Sequence, residues 1–366
     1  MKLVVGNPGM LTTVQDLGRW GYQQAGMPVA GAMDADALRI GNILVCNDEG
    51  AAGLEITLLG PSLTVDGDGL VAVAGADLGF RINGGPAPCW TALKVTTGDR
   101  ISFSGPAGAG ARAYLCVAGG IDVPLVMGSR STYLRAALGG FGGRALKTGD
   151  RLESGALPVL WKRAEGFACP DDLRPCRDMN APLRVVPGPQ DDLFTQEGID
   201  TFYGSEYTIT NSADRMGYRM EGPAVAHTGA PDIVSDAIPL GAVQIPGHGQ
   251  PIAMLADRQT TGGYTKIGVL CTPDIASLAQ RLPGQKVRFR RVTFGEALSI
   301  SRAERERIAL VRQARALRTT RPDDAPHAGG SPEERLLATQ RLSSTGSLKL
   351  VVDGTAYNVT WETASE

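Results

Sequence analysis

The sequence predicts a mainly β protein with a few helices, built as two β-barrel lobes followed by a C-terminal helical and hairpin extension. Three observations predict this. Glycine supplies 48 of 366 residues, nearly double the usual share of about 7%. It falls in no collagen period but separates short Val/Ile/Leu/Thr runs, as expected where tight turns need φ > 0. Strand candidates recur about every 8 to 12 residues, the spacing of a barrel or sandwich. Finally, one order of signals occurs twice: Gly60-Pro61, a strand ending at Ala74-Gly75 and the segment Gly98–Phe103, then Gly222-Pro223, the strand Ile252–Ala256 and the segment Gly284–Phe289. We read this as duplication of one barrel unit, with lobes at 1–178 and 179–292 and the extension at 293–366.

Taken in order, Met1–Val5 reads as a strand stopped by Gly6-Asn7-Pro8-Gly9. Leu11–Asp34 is too glycine-rich for a helix and too polar for a buried strand, so it is expected to be a loop with a task or a loop pinned by its own hydrogen bonds. Asp34 then caps a helix carrying Leu38, Ile40, Leu44 and Val45. Strands are expected at Leu54–Leu59, Ser62–Val65, Leu70–Ala74, Leu78–Ile82, Ala92–Val95, Arg100–Ser104 and Arg112–Val117. A glycine-rich stretch, Gly119–Asp150, and a crossing segment, Ser154–Pro182, follow. The second lobe offers strands from Leu183, at Tyr207–Thr210, Ala242–Ile245, Ile252–Leu255, Lys266–Leu270 and Lys286–Arg290, and a helix at Pro273–Leu282 with proline near its start. Glu296–Arg321 is a helix rich in arginine, with Ala303, Leu310, Ala314 and Leu317 as its apolar stripe. Thr319–Ser331 reads as a linker, and Ser347–Thr363 alternates around Asp353-Gly354, a hairpin signal.

Composition excludes several functions. A net charge of −2 gives no global field for nucleic acid. No apolar run reaches the roughly 18 residues that span a bilayer, and the N-terminus does not read as a signal peptide. Six scattered cysteines without a CxxC, and three histidines, speak against a zinc site and for reduced thiols in a cytoplasmic protein. There is no P-loop, no dinucleotide fingerprint and no GxSxG elbow.

Reactive groups concentrate in four clusters: Thr12–Arg19 with Tyr22 and Gln24, Gly128–Tyr133 with Gly139–Arg144, Ser212–Arg219, and Asp257–Tyr264. Each combines arginine, a hydroxyl or carboxamide, and glycine. Arginine offers a planar fork to a carboxylate or carbonyl, and glycine lets backbone N–H groups approach a ligand. The same residues could instead pin barrel turns through Asp–Arg pairs.

These clusters carry a resemblance. TTVQDLGRWGY with GAMD, GSRSTY with GGFGGRALKTGD, PGPQDDLF, SADRMGYRMEGP and DRQTTGGYTKIG resemble the biotin-dependent carboxyltransferase family. That family includes allophanate hydrolase subunit 2, the second half of the urea carboxylase carboxyltransferase domain, and the C subunit of bacterial 5-oxoprolinase. The resemblance runs from about Leu3 to Phe289. It implies cyclophilin-like lobes and obligate pairing with a sister subunit of the allophanate hydrolase subunit 1 or 5-oxoprolinase B type. It also implies a cleft where an amide, lactam or urea is processed, with ATP used by another subunit. In this light Asp214, Arg215, Asp257 and Arg258 are the candidate catalytic residues. Gln15, Asp16, Arg19, Arg130, Ser131, Tyr133, Gln244, Gln259, Thr260, Thr261, Gly262, Gly263 and Tyr264 are the candidate substrate-binding ones, and no metal is expected. Lys349 lies outside any AMKM-type motif, and the terminal hairpin looks like only the opening of a biotin carrier domain. Carboxybiotin is therefore expected from a separate carrier chain, if it is used. A member of the family acts as a regulatory protein that sequesters a sporulation kinase inhibitor, so a non-catalytic role is the alternative.

Overall fold

The computed structural model describes residues 1–175, 177–320, 345–352 and 355–362. Met1–Thr320 form one compact unit and 321–366 a second. Of the second, the described part is an antiparallel pair, Thr345–Val352 with Thr355–Glu362, in the register Val352↔Thr355. The expected turn residues Asp353 and Gly354, Thr363, and the linker beyond Thr320 lie outside the described residues.

In the first half of the larger unit two sheets face each other. One has the order 151–153, 2–7, 62–66, 100–103, 80–82, 85–86, and the other 11–15, 53–57, 112–117, 69–75, 93–95. Alternate residues of both, among them Leu3, Val5, Leu54, Ile56, Leu63, Val65, Val73 and Leu115, fill the core between them, as a period of two requires. In the second half the strands 183–187, 286–291, 206–209, 217–221, 252–254, 242–245 and 261–270 follow one another. The last pairs back onto the first, Val185↔Leu270, and closes a seven-strand barrel. Asp232–Ala237 adds an eighth strand on the outside of 261–270. Val185, Tyr207, Ile209, Val243, Ile245, Ile267, Val287 and Phe289 fill the barrel. The fold is mainly β, as the glycine and strand spacing predict.

Helix α1 (Ala35–Leu44) starts where expected: the Asp34 carboxylate accepts from the Ala37 amide at 3.2 Å. Helix α2 (Gln196–Gly204) is not evident from the sequence. Gly198 and Thr201 weaken its propensity, but the Thr195 hydroxyl caps the Gly198 amide at 2.9 Å and Phe202 is fully buried. Helix α3 (Thr272–Ala279) carries the expected proline in its first turn. Helix α4 (Phe294–Thr320) is present, but its buried side is not the expected stripe. Leu310 and Leu317 are exposed, at 42% and 63%, whereas Ile308 and Val311 are buried against α1 and the cluster around Tyr114 and Cys116. The α1 surface selects the row containing 304, 308, 311 and 315, one step around the helix.

The segment 11–34 is also not all loop. Leu11–Gln15 is a strand paired with Gly53–Thr57. Its polar side chains are tolerated inside because each finds a partner: Thr12 Oγ1 donates to the Pro8 carbonyl at 2.7 Å, and Gln15 Nε2 donates to Thr13 Oγ1 at 3.0 Å and the Thr132 carbonyl at 3.1 Å. The strand at the DRQTTGGY motif begins earlier than expected, at Thr261, so Gly262, Gly263 and Tyr264 are strand residues. Gly217–Glu221 and Asp232–Ala237 are strands that the sequence pattern does not predict.

Candidate active site

The four clusters converge where the two halves of the larger unit meet. The Asp16 carboxylate organises the first two. It accepts from the Ser129 hydroxyl at 2.7 Å, the Arg130 amide at 2.6 Å, the Gly18 amide at 2.8 Å and the Ser131 hydroxyl. Four donors satisfy a buried carboxylate. Arg130 thus serves this cluster with its backbone, while its guanidinium turns away toward the Val123 carbonyl and Asp122. Arg19, 1% exposed, donates Nη2 to the Ser131 carbonyl, and its Nε and Nη1 have no partner among the described residues. Burial pulls this guanidinium below its usual range, against the charges of Asp16 and Asp257. Gly139 and Gly140 let this loop press on the Ser131–Thr132 segment. A Cβ at Gly139, where φ is 66°, would strike the Ser131 carbonyl and Arg19.

Arg215 joins the two halves. Its Nε and Nη2 grip Asp257 at 3.1 and 3.0 Å, another bond runs from Nη2 to the Gly31 carbonyl at 2.6 Å, and Nη1 pairs with Glu55. Burial opposes the charge, but Asp257 and Glu55 outweigh it and hold the guanidinium above its usual range. The Ala30 amide donates to the Ala256 carbonyl at 3.1 Å beside it. Glu55 is a site residue that sequence reasoning missed. It also accepts from the Tyr114 hydroxyl at 2.7 Å and the Met33 amide at 2.8 Å. The signal was there: a lone carboxylate in the apolar strand GLEIT is costly unless it is paired.

Asp214 is exposed. It caps its own turn, accepting from the Met216 amide at 2.8 Å, and pairs loosely with Arg135 at 3.7 Å. Tyr133 is half-buried; burial and the charge of Asp257 push its phenol up.

Two cavities open here. A small one of about 150 Å³ is lined by Arg135, Asp214, Met216, Gly217, Arg219, Gln244, Ile252, Met254, Gln259 and Tyr264. Gln244 Nε2 and Gln259 Oε1 have no partner among the described residues. Gly262 sits against both carboxamides: a Cβ there would lie 3.3 Å from Gln244 Nε2 and 3.6 Å from Gln259 Nε2. A larger cavity of about 510 Å³ adjoins Gln259, Thr260 and Arg258. Thr261, at the strand start, is exposed, and Gly263 packs over the Ile233 carbonyl. Among the described residues no group of three or more His, Cys, Asp or Glu could hold a metal. No helix of the described residues is long and apolar enough to cross a membrane.

A closed barrel joined to a second β half, with unpartnered carboxamides and buried arginines at their junction, defines a two-half β protein with a polar ligand cleft. The chain belongs to the family described as carboxyltransferase domain, subdomain A and B, whose model matches residues 25–291. It is 40% identical to the C subunit of 5-oxoprolinase from Escherichia coli over 292 residues, covering 79% of this chain and 91% of that one. It is 36% identical to the protein of the same name from Haemophilus influenzae, covering 79% and 91%. The crystal structure of the Kluyveromyces lactis urea amidolyase is similar over 85% of this chain at 30% identity, with a TM-score of 0.78. This chain spans only 20% of that much longer protein.

Proposed function

We propose that this chain is one component of a multi-subunit enzyme that processes a small amide, with the lactam 5-oxoproline as substrate and glutamate as product. The carrying observation is the pair of free groups at the small cavity, a donor on Gln244 and an acceptor on Gln259. An amide offers the complementary acceptor and donor, and a site built to bond both rejects molecules lacking them. High coverage of the two 5-oxoprolinase relatives supports the choice of lactam.

In this reading the Gln244 side-chain N–H donates to the substrate carbonyl and polarises it. Gln259 accepts from the ring N–H and fixes its orientation. Asp257 and Arg215 hold the two walls of the cleft in register, and the Asp16–Ser131 network sets the position of Arg19 at its edge. In this reading the chain alone is inactive. It acts with a sister subunit of the 5-oxoprolinase B type, and ATP is consumed elsewhere in the complex. Carboxyl transfer is the variant reaction. Carboxybiotin from a separate carrier would fit the larger cavity, where Arg258 provides a cation within mainly apolar walls, and would supply an activated carboxyl group. The five described cysteines are unpaired, which supports a cytoplasmic location.

The test is copurification with the sister subunit and assay of ATP-dependent glutamate release from 5-oxoproline, with and without a biotin carrier. Activity should need both chains, and Gln244→Ala and Gln259→Ala should each lower kcat/KM about 10- to 100-fold. Full activity of both variants, or turnover by the isolated chain, would overturn this assignment.

A further inference from the structure

The larger cavity lies between Trp20–Val29 of the first half and Ala237–Thr260 of the second, and Gln259 lines both it and the small cavity. Its walls include Trp20, Pro28, Val29, Ile238 and Pro239. Arg258 is the one cation among its lining residues and is 6% exposed. Its Nε donates to the Ile238 carbonyl at 2.9 Å and its Nη1 to the Leu255 carbonyl at 3.3 Å. Neutral carbonyls hold the side chain in place but do not balance its charge. Burial pulls its pKa down, to about 10, so it remains cationic near neutral pH.

Arg215 and Arg177 show what is missing: the first has Asp257 and Glu55, the second Asp34 and Asp36. Arg19, Arg112 and Arg281 are, like Arg258, buried and held by neutral oxygens, but none of them lines either cavity. A desolvated guanidinium beside a cavity and without an anion is an unfavourable arrangement that an incoming carboxylate would relieve, through a charge-assisted and bidentate contact. Arg135 and Arg219 line the small cavity but are exposed, and exposed charges discriminate weakly.

We propose that Arg258 is the specificity residue that reads a carboxylate: a ligand sets its amide against Gln244 and Gln259 and its carboxylate against Arg258. This rests on the lactam reading above and deepens it, since it selects a lactam acid over a neutral lactam or urea.

The experiment measures binding of 5-oxoproline, 2-pyrrolidinone (the same ring without the carboxylate) and urea to the assembled complex by calorimetry. Wild type should prefer 5-oxoproline over 2-pyrrolidinone about 10- to 100-fold. Arg258→Gln should erase that preference by weakening 5-oxoproline alone. Arg258→Lys, which keeps the charge but loses the fork, should retain part of it, and Arg219→Gln should leave it within about threefold. The proposal is overturned by equal wild-type affinity for the two lactams, by Arg258→Gln weakening both equally, or by loss of preference in Arg219→Gln instead. Equal binding of both lactams sinks this inference alone; if neither lactam binds the wild-type complex, the lactam reading falls and this inference with it.

Discussion

Replacing Arg215 with methionine tests whether the junction between the two halves is held by charge. Methionine approximates the length of the side chain but provides no donor. Asp257, with its side chain 5% exposed, loses the only donors its carboxylate has among the described residues, both from Arg215. Glu55, 2% exposed, keeps the Tyr114 hydroxyl and the Met33 amide. Removing one partner of a buried ion pair costs about 3 to 5 kcal/mol, because the other charge stays buried and uncompensated. A unit spanning Met1–Thr320 has an unfolding entropy of about 0.7 kcal/mol/K at the usual value per residue, so Tm should fall by about 4 to 7 °C.

The loss should also acquire a pH signature. Without the guanidinium, burial acts unopposed on the Asp257 carboxyl and raises its folded-state pKa further above the unfolded one. The folded variant then binds more protons than the unfolded chain, so its stability relative to wild type should improve as pH falls from 7 toward 5. Thermal denaturation of both proteins at several pH values reads this directly, and Arg215→Met/Asp257→Leu should recover part of the loss. A Tm within about 1 °C of wild type, or a deficit that does not shrink on acidification, would refute the clamp. The sequence alone suggests a different outcome, lower activity with an undisturbed fold, because it does not reveal that all three nitrogens are engaged inside the protein.

Two further outcomes are expected. In α4, Val311→Asp should destabilise the unit by several kcal/mol, since a carboxylate is placed at a fully buried position beside α1, whereas Leu317→Asp, at an exposed position, should change stability by about 0.5 kcal/mol or less in urea denaturation. The Arg144 guanidinium holds the Asp150 carboxyl below its ordinary range. Because the folded value is depressed, its stabilisation is present above the ordinary carboxylate pKa of about 3.9 and lost below it. Asp150→Asn should therefore be less stable than wild type at pH 6, and the difference should shrink as pH falls below about 4.

Much of the fold was legible because its signals are local. Arg112–Val117 and Ala242–Ile245 are strands with the expected bounds, and Asp34 caps α1 as its sequence position implies. What was not legible depends on distant partners. Leu11–Gln15 looks too polar for a buried strand until Thr132, far away in sequence, supplies an acceptor for Gln15. The α4 stripe was misplaced because a helix with apolar residues on several sides takes its buried face from the neighbour, here α1, and not from its own periodicity. Gly217–Glu221 carries a charge at both Arg219 and Glu221, and only its pairing with 206–209 and 252–254 makes it a strand.

The same distinction orders the site. Motif reading finds residue types, and it brings Arg215 and Arg258 forward as catalytic candidates and Arg19 as a substrate-binding one. The structure separates them by what already occupies their donors. Arg215 faces two carboxylates and a carbonyl, so its charge is matched within the protein. Arg19 is bound on one nitrogen, lies against Ser131 and lines neither cavity. Arg258 alone combines burial, neutral partners and a cavity wall. In a desolvated cleft the residual electrostatic demand, and not the residue type, decides which group a ligand can satisfy. An isolated motif contains no information about that demand, because each answering carboxylate comes from another part of the chain: Glu55 lies 160 positions from Arg215. For Arg258 no such carboxylate lies on the cavity wall, which leaves its charge for a ligand to answer.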